Sequence, residues 1–208
     1  MKKVVCLFMV LSVIILLAGC VRFYGYQIDT KDGFDIGYSN LINDAFVSAY
    51  NWDGTEEKMN IVIPEKYDGM PITALGGYHS SGLPDPFAIE LSEAYKKELC
   101  GEANQWVVSS IYADIGSVET VYFDFNIHIS KNIGQINTNM LGKFYEGCYF
   151  DGDDYQAKII VVFLYTITCD DENKTFYARD GKLYYRESDE LVSGIFYFDH
   201  DFTQYSLQ

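Results

Sequence analysis

The segment Thr120–Ile129, TVYFDFNIHI, alternates apolar and polar side chains without a break over ten residues. Val121, Phe123, Phe125, Ile127 and Ile129 fall on one side, and Tyr122, Asp124, Asn126 and His128 on the other. A side-chain period of two is the geometry of a strand, so the stretch predicts a half-buried strand in a sheet that needs a second layer. The same period predicts strands through Phe34, Ile36 and Tyr38, and through Phe46, Ser48, Tyr50 and Trp52, with the last four on one face. Asp53-Gly54 opens a turn before the strand Met59–Ile63. Ile159–Tyr165 (IIVVFLY) is a continuous apolar run of strand length, as in a strand buried on both faces. Within Phe176–Tyr185, Asp180-Gly181 supplies the two positive-φ positions of a type I′ hairpin turn.

Helix signals are fewer. Asp85-Pro86 reads as a cap followed by proline in the first turn, and Ala88, Leu91, Tyr95 and Leu99 follow at helical spacing. Gly101 is the stop, and a second short helix is expected around Met140–Tyr145. Loops are expected at Gly76–Pro84 and Gly147–Asp154. The 18 tyrosines and 14 phenylalanines suit strands and can fill a core. Clusters such as Tyr184-Tyr185 and Phe196-Tyr197-Phe198 put aromatics on alternate faces, and an exposed aromatic patch would mark a binding surface. A formal charge of −15 excludes nucleic acid as a partner, because phosphate binding needs clustered Lys and Arg.

The N-terminus carries an address. Met1-Lys2-Lys3 precedes an almost wholly apolar run from Val4 to Leu17, which ends at Leu17-Ala18-Gly19-Cys20. Charge, a short apolar core and small residues at a cut site are the layout of a secretory signal, and the run is shorter than a membrane span needs. Leu-Ala-Gly-Cys resembles the lipobox of bacterial lipoproteins. That resemblance implies a diacylglyceryl group on the Cys20 thiol and cleavage that leaves Cys20 as the new N-terminus, tied to the membrane on its extracytoplasmic side. Residues 1–19 are then a signal peptide, 20–30 a lipid-anchored segment and 31–208 one β-rich domain. The mature chain has 189 residues and, having lost Lys2 and Lys3, a formal charge of −17. Cys100, Cys148 and Cys169 remain, which allows one disulfide in three pairings or three buried thiols.

Two segments resemble the BspA-like leucine-rich repeat family of bacterial surface proteins. Ile61–Gly77 (IVIPEKYDGMPITALGG) is similar to the family's short strand ending in Ile-Pro, its Asp-Gly turn and the following Pro-Val-Thr-x-Ile-Gly. Cys169–Tyr184 (CDDENKTFYARDGKLY) is similar to the Asn-x-x-Phe hairpin with Asp-Gly that closes such arrays, and Ile127–Ile136 is a fainter echo. The strand landmarks near Ile61, Ile127 and Thr166 are unevenly spaced, and the L-x-x-L-x-L-x-x-N spine is missing. The expected fold is therefore mainly β (α+β), a short irregular leucine-rich-repeat-like sheet or solenoid with one or two inserted helices. The resemblance implies a surface role without a catalytic centre: a protein- or glycan-interaction module held to the membrane through Cys20.

The chemistry-bearing residues give no competing motif. His79 lies beside Ser80 and Ser81, but no G-x-S-x-G elbow is present. Asp124 and His128 are four residues apart on one strand face, roughly 13 Å, too far for a direct hydrogen bond. Asp199-His200-Asp201 has no second His or Cys nearby in sequence. Asp29–Asp35 and Asp151–Asp154 gather carboxylates without fitting the EF-hand pattern. No metal, cofactor or catalytic residue is assigned. The alternative reading is a small extracytoplasmic hydrolase that uses carboxylates or the His79–Ser81 loop.

Overall fold

The computed structural model describes residues 26–78, 84–85, 87–101, 105–109, 119–137, 144–151, 154–195 and 197–198. Over these residues the protein is mainly β. One sheet has the order β1 (Gln27–Lys31), β2 (Phe34–Ser39), β3 (Asp44–Trp52), β6 (Met70–Leu75), β12 (Gln135–Ile136). To it, β5 (Lys66–Tyr67) adds against β6, and β9 (Ala88–Leu91) against β3. The second sheet has the order β10 (Gln105–Ser109), β13 (Phe144–Asp151), β14 (Asp154–Cys169), β11 (Glu119–Ile129), β4 (Asn60–Val62). Two small ribbons, β7 (Gly77–Tyr78) with β8 (Pro84–Asp85) and β15 (Phe176–Arg179) with β16 (Lys182–Tyr185), complete the described strands.

The alternation in β11 does what its pattern predicts. Phe125, Ile127 and Ile129 are buried, while Tyr122 and Asn126 on the other side are exposed. Every residue of Ile159–Tyr165 is buried; β14 lies inside its sheet, with β11 parallel along this whole run and β13 antiparallel on the other edge as far as Val162. The two sheets meet at Trp52, 1% exposed, at the end of β3. Its ring centroid lies 4.7 Å from Phe123, 5.0 Å from Phe125 and 6.1 Å from Phe163, all edge to face. The indole N–H is satisfied by the Thr55 carbonyl at 2.9 Å, so the largest apolar side chain is buried without an orphaned donor. Truncation of such a side chain costs about 3–5 kcal/mol.

Both sheets contain parallel pairs with the same chain logic. β4 leads through the short β5 to β6, and β11 leads to β12; β4 pairs parallel with β11 in one sheet, and β6 parallel with β12 in the other. Ile61, Ile127 and Ile167 are in register across β4, β11 and β14, and all three are buried. The ladder runs past the strand ends, with Ile63 N–H donating to the His128 carbonyl and Asp170 N–H to the Ile129 carbonyl.

Four local expectations are corrected. Ala88–Leu91 is a strand, not the first turn of a helix: it pairs parallel with Ala49–Trp52, whose free edge needs partners, and all its apolar residues are buried. The helix α1 spans only Glu93–Cys100, capped by the Ser92 hydroxyl, which accepts from Tyr95 N–H, and ended by Gly101 at φ +62°. Phe46, Ser48, Tyr50 and Trp52 do not share one face. Asp35 pairs with Ala49 and Ile36 with Val47, so the strand bulges at Ser48; Val47 and Tyr50 both enter the core, and Phe46 turns away. Phe144 and Tyr145 belong to β13 rather than to a second helix, and Met140–Lys143 lies outside the described residues. The expected loops are also partly strand: Gly147–Asp151 continues β13, and Gly77–Tyr78 pairs with Pro84–Asp85.

Candidate functional site

The second sheet presents an outward face opposite the aromatic core. Parallel pairing puts paired residues on the same side, so Asn60, Asn126 and Thr166 stand in one row, and His128 and Thr168 in the next. Asn126 Nδ2 donates to Asn60 Oδ1 at 3.0 Å. One step along, the Thr166 hydroxyl lies 3.0 Å from Asp124 Oδ1 and 3.1 Å from Oδ2. Burial raises the Asp124 pKa, and the Thr166 hydrogen bonds only partly oppose the rise.

His128 is the centre of this face. Its Nε2 lies 3.0 Å from Asp170 Oδ1 and its Nδ1 2.9 Å from Thr168 Oγ1. A carboxylate only accepts, so Nε2 carries the proton and Nδ1 accepts the threonine hydroxyl in the neutral ring. Asp170 is fixed in turn by Lys131 N–H at 2.8 Å, and Lys131 Nζ pairs with Glu65 at 3.1 Å. The side chains of His128 and Asp170 are about one-third exposed. Chemically, the row Thr168–His128–Asp170 is a hydroxyl, a base and an orienting carboxylate. It lies on a sheet surface beside Val62, 64% exposed.

A second surface lies on the β15–β16 ribbon. Asp180 and Gly181, at φ +54° and +75°, form the expected turn. Tyr177 and Tyr184 are cross-strand partners whose rings stack at 5.4 Å and 22°. The Arg179 guanidinium sits 4.5 Å from the Tyr184 centroid, and that of Arg186 5.7 Å from Tyr177. Arg186 also donates to the Asn173 and Phe176 carbonyls, and the Tyr177 hydroxyl to Asp189, so much of this cluster is committed to holding the ribbon. Tyr185 packs on Phe176, Tyr197 is buried, Phe198 is exposed, and Phe196 lies outside the described residues.

The remaining candidates are placed as follows. Cys20, His79, Ser80, Ser81, Asp199, His200 and Asp201 lie outside the described residues. Asp29 accepts from the Tyr67 hydroxyl, which pushes that phenol up to about 12, while Asp35 accepts from Thr30 and Asn51. The carboxylates of this loop are thus engaged separately, with Asp32-Gly33 as the hairpin turn. Asp151 and Asp154 close the β13–β14 hairpin. Among the described residues no three His, Cys, Asp or Glu side chains converge as metal ligands.

Cys100, Cys148 and Cys169 are all free thiols. Cys148 pairs with Ala157, whereas Cys169 is twelve residues further along the same strand, roughly 40 Å away and beyond disulfide reach. Cys100 lies at the Cys148 end, its sulfur 2.8 Å from where a side chain on Gly147 would begin. Burial raises all three thiols, Cys169 to about 11.

The His128 partners were missed by sequence reasoning because they lie 40 and 42 residues away, on β14 and just past its end. The only local signal was the polar face of TVYFDFNIHI itself. No family model, curated protein or solved structure matches the chain.

Proposed function

We propose that the chain is a lipid-anchored bacterial surface protein whose β-rich domain serves as a non-catalytic interaction module for a protein or glycan. The observation that carries this reading is the parallel register of Asn60, Asn126 and Thr166 over the buried Ile61, Ile127 and Ile167. It supports two stacked strand–turn–strand coils, β4–β6 and β11–β12, closed by β14 and its ribbon, as in a short degenerate leucine-rich-repeat solenoid. Such stacking builds an extended polar face from cross-strand pairs, the kind of surface that contacts a partner through many weak groups at once. The Leu17–Cys20 lipobox supports the anchor.

The test uses the full chain produced in an exporting bacterium. An alkyne-palmitate label is expected on the wild type and absent from Cys20→Ser. Glycan arrays and cross-linking to surface proteins, run over several salt and calcium conditions, are expected to yield a ligand. Asn126→Arg should weaken its binding about tenfold or more with unchanged melting, since a long cation in the middle of the row disrupts neighbouring contacts. Absence of any ligand under all these conditions overturns the interaction reading.

The Thr168–His128–Asp170 row favours a second reading, a hydrolase with Thr168 as nucleophile and His128 Nδ1 as base. A fluorophosphonate probe that labels wild type but not Thr168→Ala or His128→Ala supports it, and no labelling of the wild type removes it.

A further inference from the structure

The β2–β3 connection, residues 40–43, ends in an apolar tip. Leu41 is 74% and Ile42 61% exposed, adjacent in a turn whose foot is the Ser39–Asp44 pair. Asn43, at φ +53°, closes the loop. The tip Asn40-Leu41-Ile42-Asn43 has no charge, in a chain whose formal charge is −15. Two neighbouring aliphatic side chains displayed in this way stay in water at an unfavourable free energy of hydration with no gain in the fold, and what they could cover depends on what lies near this end of the sheet.

The described chain begins at the same end of the sheet. Gln27 pairs with Tyr38, next to the foot of the turn. Tyr26 crosses to β3, where its hydroxyl donates to Asp44 Oδ2 at 3.0 Å and its ring packs 5.1 Å from Phe46. Cys20 precedes Tyr26 by six residues, which span at most about 20 Å. A lipid on Cys20 thus holds this end of the domain within reach of the bilayer, and the tip is uncharged and aliphatic.

We propose that Leu41 and Ile42 insert into the interfacial layer of the bilayer that holds the Cys20 lipid, as a second contact that orients the domain. The proposal rests on the lipoprotein reading. Tethering raises the local concentration of membrane around the tip, so two side chains suffice for a contact that neither would make from solution. The bound orientation places the β1–β2–β3 end at the membrane.

The experiment uses the lipidated full chain in vesicles of phosphatidylethanolamine and phosphatidylglycerol, with and without brominated acyl chains. Mass spectrometry of the same sample reports the lipid on Cys20. Leu41→Trp is expected to shift its emission to the blue on vesicles and to be quenched by brominated lipid about twofold or more beyond Val62→Trp. Hydrogen exchange of residues 39–44 in the unsubstituted protein is expected to slow on vesicles. Lipid on Cys20 without extra quenching or slower exchange overturns the inference and leaves the lipoprotein reading standing. No lipid on Cys20 overturns that reading and the inference with it. A photo-cross-linker at position 42 that captures a second copy or another protein in place of phospholipid also overturns it.

Discussion

Asp124, on the polar side of β11, and Ser130, buried just past the end of that strand, show how single side chains set local stability. The pKa of Asp124 is raised in the folded protein by burial, so the native state holds its proton more tightly than the unfolded chain does. Its contribution is fully present below the ordinary value of 3.8 and is lost as pH rises through the raised folded value. Asp124→Asn keeps a partner for the Thr166 hydroxyl without the charge. It is expected to melt higher than wild type at pH 7 and no differently below pH 3.8, as read by calorimetry at both. Ser130 is buried with its hydroxyl unpaired among the described residues. Ser130→Ala therefore removes a desolvated group at no cost in hydrogen bonds, and denaturant unfolding should show it neutral or stabilised by up to about 1 kcal/mol. Asp180-Gly181 was legible as a turn because positive φ has a residue signature. The pairing of His128 with Asp170 was not, since nothing local records which strand lies alongside.

At the level of elements, Asn173 joins two segments that sequence leaves far apart. It is 1% exposed, and its amide donates to the Ser130 and Ile133 carbonyls at 2.9 Å each. Its side-chain Oδ1 accepts from Thr175 N–H at 2.9 Å and Phe176 N–H at 2.7 Å. The turn after β11 and the start of β15 are thereby fastened through one side chain. Asn173→Ala leaves buried backbone groups unpaired on both sides, and an unfolding titration is expected to show a loss of about 3 kcal/mol or more. Asn173→Asp restores only the acceptor half and should fall short of wild type. The elements most legible in the sequence were those with an unbroken period, β11 and the apolar centre of β14. Two others misled for physical reasons. The bulge at Ser48 shifts the phase of β3, which no periodic template contains. The spacing of Ala88, Leu91, Tyr95 and Leu99 suits a helix, but the open edge of β3 draws Ala88–Leu91 into a strand and leaves Ser92 as the cap.

For the whole molecule, the mainly β class followed from local patterns, but the arrangement of sheets did not. The decisive pairings join Ile127 to Ile61 and to Ile167, residues 66 and 40 apart. The candidate surface inherits this distance, because each of its rows is assembled from separate strands. Only the β11 share of it, Asp124, Asn126 and His128, could be read from one stretch of chain.

The sixteen residues of β14 have a consequence for the order of assembly. Its first half closes a tight hairpin with β13, a local event of microseconds. From Ile159 to its end it receives β11 in parallel, and β11 then receives β4; both steps close long loops before any contact rewards them. Folding is thus expected to nucleate late in the chain and propagate backwards, with relaxation on the millisecond-to-second scale typical of non-local β topologies. In stopped-flow experiments, Val161→Ala should slow refolding, whereas Ile61→Val should chiefly speed unfolding. Until β14 has been synthesised, Trp52 lacks Phe163 and β11 lacks its longest neighbour, so a nascent chain carries an unfinished, sticky sheet until its last quarter emerges.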